Sequence, residues 1–221
     1  KQQPDKVKEV LDKMKAEGLP PLVLDAFSHY YRQVQQGATG LIQDRDIQPV
    51  APHEVKSTHD LSACRDAGRR ALPATVSIIL NGGLGTSMGL SGAKSLIPVK
   101  DGRSFLEIKV RQAAHKGVRL ALMNSFSTYE DTHRALAAMD GAPQPLMFDQ
   151  YKFPKILRED LSPVVWPENP QLEWNPPGHG EIYLALFTSG TLQHLLDEGI
   201  RYAFISNSDN LGAAPDVDLL G

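Results

Sequence analysis

Leu80-Asn81-Gly82-Gly83-Leu84-Gly85-Thr86-Ser87-Met88-Gly89 carries four glycines in eight positions, directly after the β-branched apolar run Thr75 to Leu80. Glycine lets a backbone come close to a ligand and turn its N–H groups toward it, which suits phosphates and planar bases. One or two glycines suffice for a tight turn between strand and helix, so four point to a ligand. Five residues beyond Gly89 stands Lys94, set between the small residues Ser91-Gly92-Ala93 and the apolar pair Leu96-Ile97. A lysine in that setting is a mobile point charge that can follow a phosphate as its charge shifts during transfer.

The loop is neither of the two best-known phosphate loops. A P-loop needs Gly-Lys-Ser/Thr, and here Lys94 follows Ala93; a dinucleotide fingerprint needs Gly-x-Gly-x-x-Gly, whereas Gly83, Gly85 and Gly89 are spaced Gly-x-Gly-x-x-x-Gly. Three later clusters also present polar groups in constrained settings: Phe148-Asp149-Gln150-Tyr151-Lys152-Phe153-Pro154, Trp174-Asn175-Pro176-Pro177-Gly178-His179-Gly180-Glu181, and Phe204-Ile205-Ser206-Asn207-Ser208-Asp209-Asn210. In the second, two prolines restrict the chain and two glycines flank His179, so the imidazole is presented at a fixed place with little bulk around it. In the third, Asp209 follows an apolar strand, where a carboxylate can help hold Mg²⁺, a hard cation bound through one or two carboxylates plus substrate phosphates. The same Asn-Ser-Asp-Asn run also suits a turn or a helix cap, with Asn210 capping.

Leu-Asn-Gly-Gly-Leu-Gly-Thr-Ser-Met-Gly followed by Lys-Ser resembles the nucleotide-binding loop of the UDP-glucose pyrophosphorylases of the eukaryotic type, also called UTP-glucose-1-phosphate uridylyltransferases. The three later clusters, together with Met123-Asn124-Ser125-Phe126-Ser127-Thr128, resemble the same family, from about Gly40 to the C-terminus. The resemblance implies a Rossmann-like α/β fold and conversion of UTP and glucose 1-phosphate to UDP-glucose and pyrophosphate, by in-line attack on the α-phosphorus with Mg²⁺. It assigns Leu80, Asn81, Gly82 and Gly83 to the nucleotide, and Gln150 and Gly178 to uracil. An amide side chain suits uracil because it carries both a donor and an acceptor. Lys94 and Asp209 are the implied catalytic pair, with Asp209 also the metal ligand, while His179, Asn207 and Ser208 meet the sugar phosphate. Asn124 and Ser125 are expected either to shape the pocket rim or to serve a structural role. One departure is Ala93, where many relatives have proline; the exchange is expected to loosen the loop.

Two alternatives stay open. One is a different UDP-sugar, such as UDP-N-acetylglucosamine, although Asn81 with Ser87 points toward the glucose branch. The other is a uridine-nucleotide-binding module without catalysis. Its motive is that family members continue for about as long again, so the chain is expected to be part of something longer.

These residues need a scaffold, and the pattern of the chain describes one. Val7, Val10, Leu11 and Met14 recur at helical spacing within Asp5 to Glu17, and Val23, Ala26, Phe27, Tyr30, Tyr31 and Val34 repeat it before Gly37. Residues 1–39 are therefore expected to be a helical N-terminal segment, and 40–221 the nucleotide-binding part of a catalytic domain. Gly40 to Pro52 reads as extended, and Glu54 to Arg70 as a weaker helix. After the strand Thr75 to Leu80, helices near Ser104–His115, Thr128–Met139 and Thr191–Glu198 alternate with strands at Val118–Met123, Pro145–Phe148 and Tyr202–Ser206. Such alternation implies βαβ units in a mostly parallel sheet, with ligands beyond the carboxyl ends of its strands. The run Ser162 to Gly180 reads as a long ordered loop.

The totals exclude several classes. With 23 Lys and Arg against 26 Asp and Glu, the net charge of −3 shows no basic excess of the kind that marks nucleic-acid binders. Cys64 is the only cysteine, which rules out an intramolecular disulfide and a cysteine-based zinc cluster. The seven histidines are scattered, and no Ser-His-Asp or Cys-His set suggests a covalent intermediate. Neither an apolar leader in Lys1-Gln2-Gln3-Pro4-Asp5 nor a spanning run is evident, so a cytoplasmic protein without membrane partners is expected.

Overall fold

The computed structural model describes residues 6–85, 89, 92–139, 141 and 143–221. In chain order they form α1 (Lys6–Ala16), α2 (Pro21–Gln35), α3 (Arg65–Ala71), β1 (Thr75–Leu80), β2 (Pro98–Lys100), β3 (Arg103–Ser104) and α4 (Phe105–Lys116). There follow β4 (Arg119–Asn124), α5 (Tyr129–Ala137), β5 (Leu146–Asp149), β6 (Phe153–Pro154), β7 (Trp174–Asn175), α6 (Ile182–Thr188), α7 (Thr191–Asp197), β8 (Tyr202–Asn207) and α8 (Val217–Leu220). None of the helices among the described residues is long and apolar enough to cross a membrane.

The chain gathers into two compact units. One holds the residues up to Ala51 together with Tyr151–Leu184; the other holds Pro52–Gln150 and Ala185–Gly221. In the first, the apolar stripes of α1 and α2 supply Val7, Val10, Met14, Val23, Leu24, Phe27 and Tyr31 to a core that Trp174 of β7 completes. The ring of Phe27 meets Phe153 edge-on at 5.2 Å, an offset geometry that aromatic quadrupoles favour. Thus the helical segment at the start of the chain finds its apolar partners more than a hundred positions downstream.

The second unit is built on a four-stranded sheet in the order β5-β4-β1-β8, parallel throughout. Every residue of β1 is buried, as a central parallel strand covered on both faces must be. Ile79, Leu120 and Leu122 pack on Leu106, Val110 and Ala113 of α4 and Leu136 of α5. The start of α4 is set by Ser104, whose hydroxyl accepts from the Glu107 N–H at 3.2 Å, and its end by Gly117 in the left-handed conformation at φ 66°.

Register decides where the sheet's polar residues emerge. Leu80 pairs with Met123 on one side and Asn207 on the other, and Met123 in turn pairs with Phe148. These four residues form one row across the sheet, so the residues that follow them leave from a common carboxyl edge.

The expected strands are all present within one residue or so, and the expected helices likewise, with one difference. Residues 58–64 wind as a 3₁₀ segment, and the regular helix is confined to α3. Its pattern is thin because Leu61, Cys64 and Ala67 offer little apolar area to bury. The short pairs β2/β3 and β6/β7 and the helices α6 and α8 have no periodic signature in the sequence. β7 and a 3₁₀ turn at Pro170–Glu173 lie inside the run expected to be a loop.

Candidate nucleotide-binding site

At the end of β1 the Asn81 N–H donates to the Met123 carbonyl at 2.7 Å, extending the sheet by one rung. The Asn81 side chain turns inward: its Nδ2 donates to Asn124 Oδ1 at 2.7 Å and to Thr132 Oγ1 at 2.8 Å. With 1% of its surface exposed, Asn81 braces the ends of β1 and β4 against α5. Its place in the loop is legible from sequence. The inward direction of its side chain is not, and neither is the role of Thr132.

Gly82 comes next, and its carbonyl accepts from Ser125 Oγ at 2.9 Å. Ser125 is itself held by the Thr128 hydroxyl, which accepts the Ser125 N–H at 2.9 Å. A Cβ at Gly82 would stand 2.0 Å from Gln150 Nε2, so the glutamine carboxamide lies directly against the glycine backbone. Gln150 is anchored by its own N–H on the Asn124 carbonyl at 2.9 Å. It is buried, and its Oε1 has no hydrogen-bond partner among the described residues. A buried amide oxygen without a partner costs roughly 1–3 kcal/mol, which a ligand N–H can offset. Asn124 and Ser125 are fully buried, which favours the structural role over the pocket rim.

Beyond Gly83 the loop doubles back. Lys94 N–H donates to the Gly83 carbonyl at 3.0 Å, Gly85 N–H donates to the Gly92 carbonyl at 3.1 Å, and Leu84 bridges Ala93. Among the described residues nothing stands within 4 Å of a Cβ built at Gly83. Thr86, Ser87, Met88, Leu90 and Ser91 lie outside the described residues, and with them the reading of Ser87 as a mark of the glucose branch. Ala93 has a φ of −60°, the angle a proline would impose, with hydrogen bonds of the doubled loop on either side of it.

The doubled loop delivers Lys94 to the end of β8. Its Nζ donates to Asp209 Oδ2 at 2.5 Å, with about a third of each side chain still exposed. Asp209 sits in a turn closed by the Asn210 N–H on the Asn207 carbonyl at 3.3 Å. Asn207 is exposed and Ser208 is buried. No helix starts at Asn210, so the run is a turn and the alternative of a helix cap falls away; Asp216 caps the next helix instead.

Gly178 and His179 belong to the helical unit. Gly178 has φ 112°, a backbone conformation that favours glycine, and the Glu181 N–H donates to its carbonyl at 3.2 Å. This turn leaves His179 exposed. Glu181, two residues on, is buried; its Oε2 accepts the Tyr151 N–H at 3.3 Å and its Oε1 has no partner among the described residues. Burial pushes its carboxyl up to about 7. Sequence reasoning misses Glu181, and the one signal that could find it is its position directly after Gly178-His179-Gly180.

In the sheet unit, then, structure brings Asn81, Gly82 and Gln150 to one place and Gly83, Lys94 and Asp209 to another along the same carboxyl edge. Among the described residues no group of three His, Cys, Asp or Glu side chains could hold a metal by itself. Asp209 offers a single carboxylate and fits a hard dication only where phosphate oxygens complete the shell, which is how magnesium is held in phosphate-transfer sites.

A parallel sheet flanked by helices, with a glycine loop, a buried amide and a lysine–carboxylate pair at its carboxyl edge, defines an α/β protein of the nucleotide-sugar transferase fold. The family model for UTP–glucose-1-phosphate uridylyltransferase matches residues 24–221, and the chain belongs to that family. It is 38% identical over 185 residues to UTP–glucose-1-phosphate uridylyltransferase 2 of Dictyostelium discoideum, covering 79% of this chain and 36% of that protein. The UDP-glucose pyrophosphorylase of Leishmania major superposes with a TM-score of 0.88 at 37% identity, over 99% of this chain and 47% of that one. A point mutant of the same enzyme, solved in complex with UDP-glucose, gives a TM-score of 0.87 at 36% identity, with the same coverage of 99% and 47%. The chain thus spans less than half the length of these relatives.

Proposed function

We propose that this chain carries the uridine-nucleotide-binding part of an enzyme that joins UTP and glucose 1-phosphate into UDP-glucose and releases pyrophosphate. The observation that carries the reading is the Gln150 carboxamide, packed on Gly82 with its oxygen unpartnered among the described residues. An acceptor held rigidly against a bare backbone suits the ring N–H of uracil, and the amide N–H₂ beside it suits a carbonyl. Family membership supports the same substrates. A cytoplasmic setting is part of the proposal, supported by the free thiol of Cys64.

In this reading a phosphate oxygen of the sugar phosphate attacks the α-phosphorus of UTP in line with the departing pyrophosphate. Both reactants are anions, so the protein's tasks are alignment and neutralisation. Leu80, Asn81, Gly82 and Gly83 supply the backbone on which the nucleotide lies, and Gln150 with Gly178 selects its base. Lys94, which pairs with Asp209, would neutralise the phosphates, and Asp209 would hold Mg²⁺. Mg²⁺, when bound, would spread the charge of the triphosphate. His179, Asn207 and Ser208 meet the sugar phosphate.

The test is calorimetry with UTP and CTP beside a reverse assay from UDP-glucose, pyrophosphate and Mg²⁺. UTP is expected to bind at least about tenfold more tightly than CTP, because a site built to hydrogen-bond one base leaves its groups unpaired with the other. Asp209→Asn and Lys94→Met are each expected to cut turnover about a hundredfold or more. Equal affinity for both nucleotides removes Gln150 as the base reader. Full turnover in either variant removes that residue from the chemistry, and nucleotide binding without turnover in the parent chain favours the non-catalytic module.

A further inference from the structure

Lys109 is 3% exposed, on the face of α4 that otherwise carries Leu106, Val110 and Ala113 into the core. Its Nζ donates to the Ala213 carbonyl at 2.6 Å. Burial holds its pKa below the usual lysine range, with no acidic neighbour contributing. Two more side chains on that helix reach the same stretch: Gln112 Nε2 donates to the Leu211 carbonyl at 3.0 Å, and Lys116 Nζ to the Pro215 carbonyl at 2.8 Å. Positions 109, 112 and 116 share one helix face, and the carbonyls of 211, 213 and 215 are alternate groups of the segment between β8 and α8.

This stretch follows directly on Asp209. The Asn210 N–H closes on the Asn207 carbonyl at 3.3 Å, and the Ala213 N–H closes on the Asn210 carbonyl at 3.2 Å. Two successive turns therefore run from the last residue of β8 to the carbonyl that Lys109 grips. A buried ammonium costs several kcal/mol in desolvation, more than is needed to secure a loop that an apolar contact could hold. We infer that Lys109 is a positioning residue for Asp209: with Gln112 it straps the 207–213 double turn to α4, Lys116 holding the chain just beyond at Pro215, and so sets where the Asp209 carboxylate stands. The inference rests on the proposed metal role of Asp209 and adds a residue that touches neither substrate nor metal.

The test compares the full chain with Lys109→Met, which keeps the buried volume and removes the donor, and with Lys116→Met at an exposed position where folding is not at risk. Amide hydrogen exchange over residues 207–213 is expected to accelerate about tenfold in Lys109→Met and more modestly in Lys116→Met, with exchange over Thr75–Leu80 unchanged. UTP affinity in Mg²⁺ is expected to fall about tenfold in Lys109→Met, and in EDTA to change less than about twofold. A role in general stability alone would weaken both affinities together, and that result overturns the inference. Unaltered exchange at 207–213 in both variants overturns it as well. If the parent chain gains no UTP affinity from Mg²⁺, the metal role of Asp209 fails, and the exchange result still decides whether Lys109 holds the turn.

Discussion

Glu173 and Glu181 lie eight positions apart in the helical unit and are both 8% exposed, yet their surroundings treat them oppositely. Around Glu173 every demand of a buried carboxylate is met. Lys13 bonds to Oε2, the Trp166 N–H donates to Oε1 at 2.7 Å, and the Lys13 hydrogen bond holds the carboxyl below the usual glutamate range. Lys13 also caps the Val164 carbonyl at 2.9 Å and lies 5.4 Å from the Trp174 ring centroid. Around Glu181 there is one N–H for two oxygens and no counter-ion among the described residues, and burial raises the carboxyl to about 7. The first region is built to hold α1 on β7. The second carries an unmet demand two residues from the exposed His179.

The same division runs through the sheet unit. Buried side-chain atoms without partners among the described residues include Asn81 Oδ1, Asn124 Nδ2, Gln150 Oε1 and Ser206 Oγ, all at or next to the carboxyl ends of β1, β4, β5 and β8. Native proteins satisfy nearly all their buried polar groups, so this group of exceptions at the sheet's carboxyl edge supports the nucleotide site proposed there.

Three substitutions test that division, the largest effect coming first. Gly82→Ala drives a methyl group into Gln150 Nε2 on the unsatisfied side. UTP affinity is expected to fall roughly ten- to a hundredfold by calorimetry, about 1–3 kcal/mol, and the same overpacking should lower the melting temperature by a few degrees. Unchanged affinity would break the link between the unpartnered amide and the base. On the satisfied side, Lys13→Met leaves Glu173 buried without its cation. The melting temperature at pH 7 should drop by several degrees while UTP affinity stays the same. Because a depressed carboxyl stabilises only while ionised, that deficit should shrink as pH falls below the ordinary value of 4.5 and through the lower folded-state value.

Glu181→Gln gives the smallest effect and the opposite sign. A carboxyl raised from 4.5 to about 7 binds its proton more readily in the folded chain, so its contribution is intact below pH 4.5 and is lost as pH rises through 7. The amide should therefore stabilise the chain by about 1 kcal/mol at pH 8, solvent screening having reduced the full effect, and leave it unchanged at pH 4. Denaturant melts at the two pH values check this; equal stability of both forms at pH 8 would show that Glu181 is satisfied after all.

Much of this is legible in the sequence because the signals are local. The β-branched run before Gly82 announces a buried strand, and the helical spacing of Val7, Val10 and Met14 announces the stripe that α1 buries. The motifs around Lys94, Gln150, His179 and Asp209 are readable because glycine and proline limit a backbone through their own covalent structure. What escapes is non-local. Thr132 looks like any polar residue on a helix until β4 carries Asn124 beside it, and Lys109 looks like a surface lysine until the chain returns at Ala213. Asn81 stands in the expected loop, yet its side chain faces the interior, a choice that depends on two neighbours 43 and 51 positions away.

Sequence alone determined the four strands of the main sheet and the longer helices, that the sheet is parallel, that its glycine loop suits a nucleotide, and which family the chain resembles. These follow from side-chain period, backbone freedom and residue chemistry, all of which act over a few positions. Tertiary structure alone decided the row of Leu80, Met123, Phe148 and Asn207 that lines up the strand ends. It decided the meeting of Lys94 with Asp209 across 115 positions, and the difference between Glu173 and Glu181. Charge and hydrogen bonding depend on distance and burial, and those quantities exist only once the chain has brought its distant parts together.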